Sequence, residues 1–198
     1  MTAARLRRVA TDTSGVSTVE FALVAPVLLV AVMGLFDLGY TMYTNSMLQG
    51  AIHQAARAST IEGAGTRAAD IDKKVEEAVK AVVYSSDLTF SRKSYASFSD
   101  VAQPEDFSDI DTDGTCNNGE PYEDANGNGN WDQDRGSDGQ GGARDAVLYT
   151  VRVTYARPFP IASLIGQDNS FTLETQTVLR NQPYGLQSKP EPATGNCT

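Results

Sequence analysis

Ser14–Tyr43 reads SGVSTVEFALVAPVLLVAVMGLFDLGYTMY, and the rest of the chain is organised around this stretch. From Phe21 to Phe36 no residue is charged and nearly all are apolar. Those 16 residues make roughly 24 Å of helix, slightly short of a bilayer core of about 30 Å. Counted from Val16 the run is 21 residues, roughly 32 Å, and it spans. The longer span contains Glu20. A lone carboxylate at membrane depth costs at least a few kcal/mol, so it demands a partner.

The flanks set an orientation. Arg5, Arg7 and Arg8 stand before the run against Asp12 alone, and after it no basic residue occurs until Arg57. The positive-inside rule then puts the N-terminus in the cytoplasm and the remainder outside. The run lacks the short apolar core and small-x-small cut site of a secretory signal. Cys116 and Cys197 both fall in the outer part, where an oxidising compartment allows them to pair. Such a bridge would close an interval of about 80 residues and contribute roughly 4 kcal/mol through loop-closure entropy. Two free thiols are the alternative.

Helical spacing continues past Asp37. Leu38, Met42, Leu48, Ile52 and Ala55 recur at steps of three and four, so one helix is expected over 16–60, with Pro26 kinking it. Residues 1–15 read as a basic leader. Gly63 and Gly65 break the helix, and a second follows at about 68–84 with Ile71, Val75, Val79 and Val82 on its apolar face. Within 61–104 a first strand begins at Leu88. Within 143–198 come the strands 146–155 and 171–180, rich in β-branched residues. In the apolar connection RPFPIASLIGQDNS between them, Phe159, Ile161, Leu164 and Ile165 are expected to cover the core, with contact to the membrane surface the alternative, and the tail from Pro183 is expected to be irregular. The fold class is α+β: a long N-terminal transmembrane and stalk helix, plus a second helix packed on a small, mainly antiparallel sheet.

The formal net charge is −9, but residues 105–138 hold eleven acidic side chains against Arg135 alone, which leaves the rest of the chain near neutral. With no basic patch to displace counterions, nucleic acid is excluded as a partner. Inside the insert 105–142, DIDTDGTCNNGE satisfies D-x-D-x-D-G-x5-E with Asp109, Asp111, Asp113, Gly114 and Glu120. Alternating carboxylates aim oxygens inward, the glycine permits the turn, and the glutamate at place twelve closes the cage with both oxygens. The Thr115 carbonyl and Asn117 would add donors. An all-oxygen set in a flexible loop selects Ca2+.

A second copy, DANGNGNWDQDR, places Asp124, Asn126, Asn128, Asn130 and Asp132 at places one, three, five, seven and nine. Its twelfth residue is Arg135, which cannot ligate, and Asp134 is the expected substitute. Too few residues separate the copies for flanking helices. Gly136–Gly142 reads as a flexible return linker.

The order Gly15, four uncharged residues, Glu20, Phe21 and a long apolar run resembles the processing site of type IV pilin-like proteins. The wider VEFALVAPVLLVAVMGLFDLG, with Asp37, Gly39 and Tyr40, is similar to the TadE-like pseudopilins of tight-adherence (Flp) pilus systems, over about residues 14–58. The resemblance implies cleavage by a prepilin peptidase between Gly15 and Val16, with Glu20 meeting the new amino group of a neighbouring subunit. It implies a minor pilin whose partners are other pilin-like subunits and the pilus assembly machinery, taking part in assembly and surface adherence. It also implies a single-pass protein of the bacterial inner membrane, cytoplasmic N-terminus inside and C-terminal domain periplasmic, or extracellular once in a pilus. The alternative is a membrane-anchored, calcium-binding surface protein outside any pilus. No arrangement of the single histidine with a nucleophile or base suggests an enzyme.

Overall fold

The computed structural model describes residues 15–60, 67–159, 161–164, 166, 168–182 and 192–198. The leader, the helix-breaking segment at 61–66, Ile165 and most of the proline-rich tail lie outside the described residues, as do the side chains of Ile161 and Leu164. The elements are α1 Val16–Ser59, α2 Ala68–Lys80, β1 Asp87–Tyr95, β2 Pro121–Asp124, β3 Ser137–Asp138, β4 Ala146–Ala156, α3 Ile161–Leu164, β5 Ser170–Arg180 and β6 Ala193–Asn196. The chain divides into two units. The first joins the residues up to Tyr43 with Ala156–Ser170, and the second joins Thr44–Tyr155 with Phe171–Thr198.

In the first unit α1 is apolar on all sides, and its apolar side chains stand uncovered: Leu23 is 75% exposed and Leu35 70%. A helix hydrophobic all round suits lipid. Among the described residues it is the helix long and apolar enough to cross a membrane. It runs unbroken through Pro26. Of the connection expected to cover the core, Pro160, Ile165 and the side chains of Ile161 and Leu164 lie outside the described residues. Arg157 forms an ion pair with Asp37, which is buried, and Phe159 meets Phe36 with ring centroids 6.2 Å apart. A guanidinium beside a carboxylate at the end of an apolar run neutralises both charges.

In the second unit a four-stranded sheet has the order β3-β1-β4-β5. β1 pairs antiparallel with β4, Phe90 opposite Val151 and Arg92 opposite Tyr149. β4 alternates cleanly. Val147, Tyr149, Val151, Val153 and Tyr155 are buried, while Arg152 is exposed and paired with Glu174 of β5 at 2.6 Å. Period-two alternation of this kind marks a sheet covered on one face. The buried face holds the core with Leu48, Ile52 and Ala55 of α1 and Ile71, Val75 and Val79 of α2.

Asp72 of α2 ties helix to sheet. It accepts from Arg92 at 2.5 and 2.9 Å and from the Tyr149 hydroxyl at 2.7 Å. Burial first, and the Asp72 carboxylate second, push the Tyr149 hydroxyl well above its ordinary pKa. α2 stops at Lys80, one turn sooner than its apolar pattern suggested, because Ala81–Tyr84 fold into turns. Glu76 and Lys80, one turn apart on α2, pair at 2.6 Å.

Two further expectations are corrected. The return linker contains β3, which pairs with the end of β1 through Lys93 and Ser94. The tail is not irregular throughout, since β6 pairs antiparallel with β2 in a second, two-stranded sheet. Gly195 lies opposite Tyr122, and a Cβ there would run into the tyrosine ring. A glycine is what lets this short strand approach.

Candidate metal centre

The insert has its own scaffold. Residues 106–108 lie along β2, with Ser108 N–H donating to the Pro121 carbonyl at 2.9 Å and Glu123 N–H to the Asp106 carbonyl at 2.8 Å. β6 flanks β2 on its other edge, and a Cys116–Cys197 disulfide fastens it. Phe107 and Trp131 pack edge to face at 5.6 Å, and Tyr122 is buried. Strands too short to stand alone are held here by a covalent bridge and one aromatic contact.

β2 also joins the two acidic loops, because Glu120 ends the first and Asp124 begins the second. In the first loop, Asp109 accepts from the N–H groups of Asp113 and Gly114 at 3.2 and 2.9 Å. Asp111 accepts from Asp113 N–H at 3.3 Å, and Asp113 from Thr115 N–H at 2.8 Å. Glu120, 2% exposed, accepts from Ile110 N–H at 2.6 Å and from Asn117 N–H at 3.2 Å. Carboxylate oxygens of Asp109, Asp111 and Glu120 lie within 4.8 Å of one another. The Asn117 Oδ1 is buried without a hydrogen-bond partner. Asp113 is not part of that trio: its second oxygen accepts from Asn117 Nδ2 at 2.7 Å.

The second loop repeats these bonds place by place. Asp124 accepts from Asn128 and Gly129 N–H at 3.1 and 2.8 Å. Asn126 Oδ1 accepts from Asn128 N–H at 3.0 Å, and Asn128 Oδ1 from Asn130 N–H at 2.7 Å. The side-chain amides of Asn126 and Asn128 both donate to Asp132, at 2.8 and 2.5 Å. The sixth residue of each loop, Gly114 (φ 76°) and Gly129 (φ 81°), occupies the left-handed region that a side chain resists.

The closing carboxylate of the second loop is neither Arg135 nor Asp134. Arg135 donates to the Pro104 carbonyl and pairs with Asp106 at 2.8 Å. Asp134 is drawn off to Lys93 at 2.8 Å and to the Tyr95 hydroxyl at 2.9 Å. Burial pushes Asp134 upward, but Lys93, Tyr95 and the Gly136 N–H outweigh it and hold the carboxyl below its usual range. The place is taken by Glu105, 1% exposed, which precedes both loops in the chain. It accepts from Ala125 N–H at 2.8 Å and from Asp132 N–H at 3.1 Å. These are the second and ninth N–H groups of the loop, the same two that Glu120 takes in the first. Trp131 Nε1 holds the Glu105 carbonyl at 2.9 Å. Sequence reading missed Glu105 because the motif is scanned forward from its first aspartate. The one available signal was an acidic residue just ahead of a copy that lacks its own closing ligand.

At the expected processing site, Gly15 sits in the turn before α1 and Val16 is the first helical residue. The Gly15 carbonyl accepts from Val19 N–H at 3.2 Å. Glu20 and Phe21 are exposed on the first turns of the helix.

No curated protein and no solved structure matches the chain. Residues 15–57 match the family model described as TadE-like protein, which begins at the glycine before α1 and ends within its last turn. Over these residues the chain is similar to TadE-like proteins, as the residues around Glu20 implied.

Proposed function

We propose that the chain is a minor pilin, or pseudopilin, of a tight-adherence pilus, cut between Gly15 and Val16 by a prepilin peptidase. The observation that carries this reading is the coincidence of three boundaries. The family match, the start of α1 and the Gly15–Val16 junction fall at the same place. Glu20 as fifth residue of the mature chain would meet the new α-amino group, and assembly would use the uncovered apolar surface of α1 against other pilin-like subunits. N-terminal sequencing of the membrane-extracted protein tests it. The expected start is Val16, lost when Gly15 is replaced by a bulky residue. An intact leader in a strain with an active peptidase favours an anchored surface protein instead.

The insert is read as a pair of calcium loops outside the cytoplasmic membrane. Asp109, Asp111, Asn117 and Glu120 fit the first ion, with the Thr115 carbonyl and Asp113 beside them. Asp124, Asn126, Asn128, Asp132 and Glu105 fit the second, with Asn130 beside them. Every donor is hard oxygen, which suits Ca2+ over zinc or copper. Bound calcium would neutralise carboxylates that the scaffold has already gathered, and so stiffen the insert for adherence. Extracellular sites of this kind bind at about 10⁻⁴–10⁻³ M. Limited proteolysis of the full chain reads the effect: cleavage within 105–142 should slow at millimolar calcium and quicken in chelator. Equal rates in both would remove calcium from the proposal.

A further inference from the structure

The residues that join β4 to β5 form a closed excursion. Arg157 N–H donates to the Asn169 carbonyl at 2.8 Å, and Asn169 Nδ2 returns a bond to the Arg157 carbonyl at 3.2 Å. The base of this excursion is fixed to α1 by the Arg157–Asp37 ion pair. Asp37 is the residue at which the uncharged run of α1 ends. Arg157 thus marks the level at which the helix leaves lipid, if α1 crosses the membrane from Val16 to Phe36. Two residues past Arg157, the Phe159 ring reaches back to Phe36. Phe36 belongs to the lipid-suited run and is 64% exposed. From Pro158 to Gln167 the sequence PFPIASLIGQ carries no charge, and the first acid is Asp168.

We propose that residues 158–166 are an interfacial membrane anchor, whose partner is the boundary between headgroups and acyl chains of the outer leaflet. Three features fit that partner. The segment is continuous with the membrane helix in one structural unit. Its sequence is uncharged, and the cation just before it, Arg157, is already paired with Asp37, so it brings no charge to bury. Aromatic and aliphatic side chains beside an arginine at a helix exit are the composition that settles at a membrane interface. The segment would therefore fix the depth of α1 by a second point of attachment.

The inference rests on the membrane reading of α1, and one experiment separates the two. The unaltered full chain is reconstituted in dilute phosphatidylcholine vesicles and labelled twice, with a carbene probe dissolved in the acyl phase and with a water-borne radical label. Peptides are then mapped by mass. Acyl-phase labelling of 16–36 together with 158–166, and at least about fivefold protection of 158–166 from the water-borne label relative to the peptide bearing Tyr84, supports the proposal. Tyr84 is 90% exposed and reports open solvent. Labelling of 16–36 without 158–166 overturns it while leaving the membrane helix standing. Protection of 158–166 from both probes overturns it in favour of coverage by a second copy. Absence of acyl-phase label on 16–36 overturns the membrane reading itself, and this proposal with it.

Discussion

The two acidic loops are built on one plan and closed in opposite directions. In 109–120 the buried glutamate comes from the end of the loop. In 124–135 it comes from Glu105, before either loop begins, yet both carboxylates take the N–H groups of the second and ninth residues. The eighth residue also differs: Cys116 is bolted to Cys197, whereas Trp131 is packed on Phe107. The comparison teaches that the fold conserves a constellation of oxygens in space, and that chain order is only one way to supply it.

The largest effect that would break the comparison is an exchange of closing ligands. Calorimetric titration of calcium into the full chain should show two sites. Glu120→Gln should weaken the first and Glu105→Gln the second, each by about 100-fold or more, since even outer-shell partners of a metal cost 10–100-fold. Both variants keep side-chain volume, but an amide accepts on one oxygen only, so each keeps backbone donors at one of its two oxygens; a circular dichroism spectrum matching the parent shows that the scaffold survives. A Glu105→Gln protein that binds two ions with parental affinity would end the equivalence.

That outcome depends on a residue the sequence concealed, and the reason is physical. α1 was legible because lipid selects for composition over a long unbroken run, and β4 because burial on one face imposes strict alternation on it. The first loop was legible because all of its constrained places lie in twelve successive residues. Glu105 was not, because Asp132 is 27 residues away and only folding brings its N–H to the carboxylate. β6 was hidden for a related reason. Of the four residues Ala-Thr-Gly-Asn only Thr194 favours a strand, and their pairing is set by Tyr122 and by the bridge at Cys197. In the connection 157–169, the pairing of Arg157 was hidden because its carboxylate stands 120 residues earlier.

A smaller effect sharpens the contrast at the eighth place. Gly119 N–H donates to the Cys197 carbonyl at 2.9 Å, and Cys197 N–H donates to the Glu120 carbonyl at 2.8 Å, so the bridge lies beside the first loop's closing residue. Replacing both cysteines by serine should cost the first site about tenfold in calcium affinity, through ordering no longer done in advance. The second site, anchored by Trp131, should change less than about twofold. Terbium luminescence excited through Trp131 reads the second site, and calorimetry reads the sum. Equal losses at both sites would mean that the bridge supports the whole insert and makes no distinction between the loops.

The smallest effect concerns Asp134, the residue that chain order nominated as a ligand. Because it binds Lys93 and the Tyr95 hydroxyl instead, Asp134→Asn should leave the second site's calcium affinity within about twofold and act on stability alone. Its folded pKa lies below the ordinary 3.8. The stabilisation it gives is therefore present above that value and lost as pH falls through the folded one. Tyr95 has the opposite sign. Burial, and then Asp134, push its hydroxyl up to about 12, so its contribution holds below the ordinary 10 and fades as pH rises through the raised value. Between these limits the variant should be less stable than the parent by under about 1 kcal/mol, as expected of a half-exposed pair. Denaturant melts in excess calcium at pH 6 and near pH 3 measure it. The difference should be present at the first and shrink toward zero at the second. A loss of calcium binding in Asp134→Asn would return the closing role to the place the sequence first suggested.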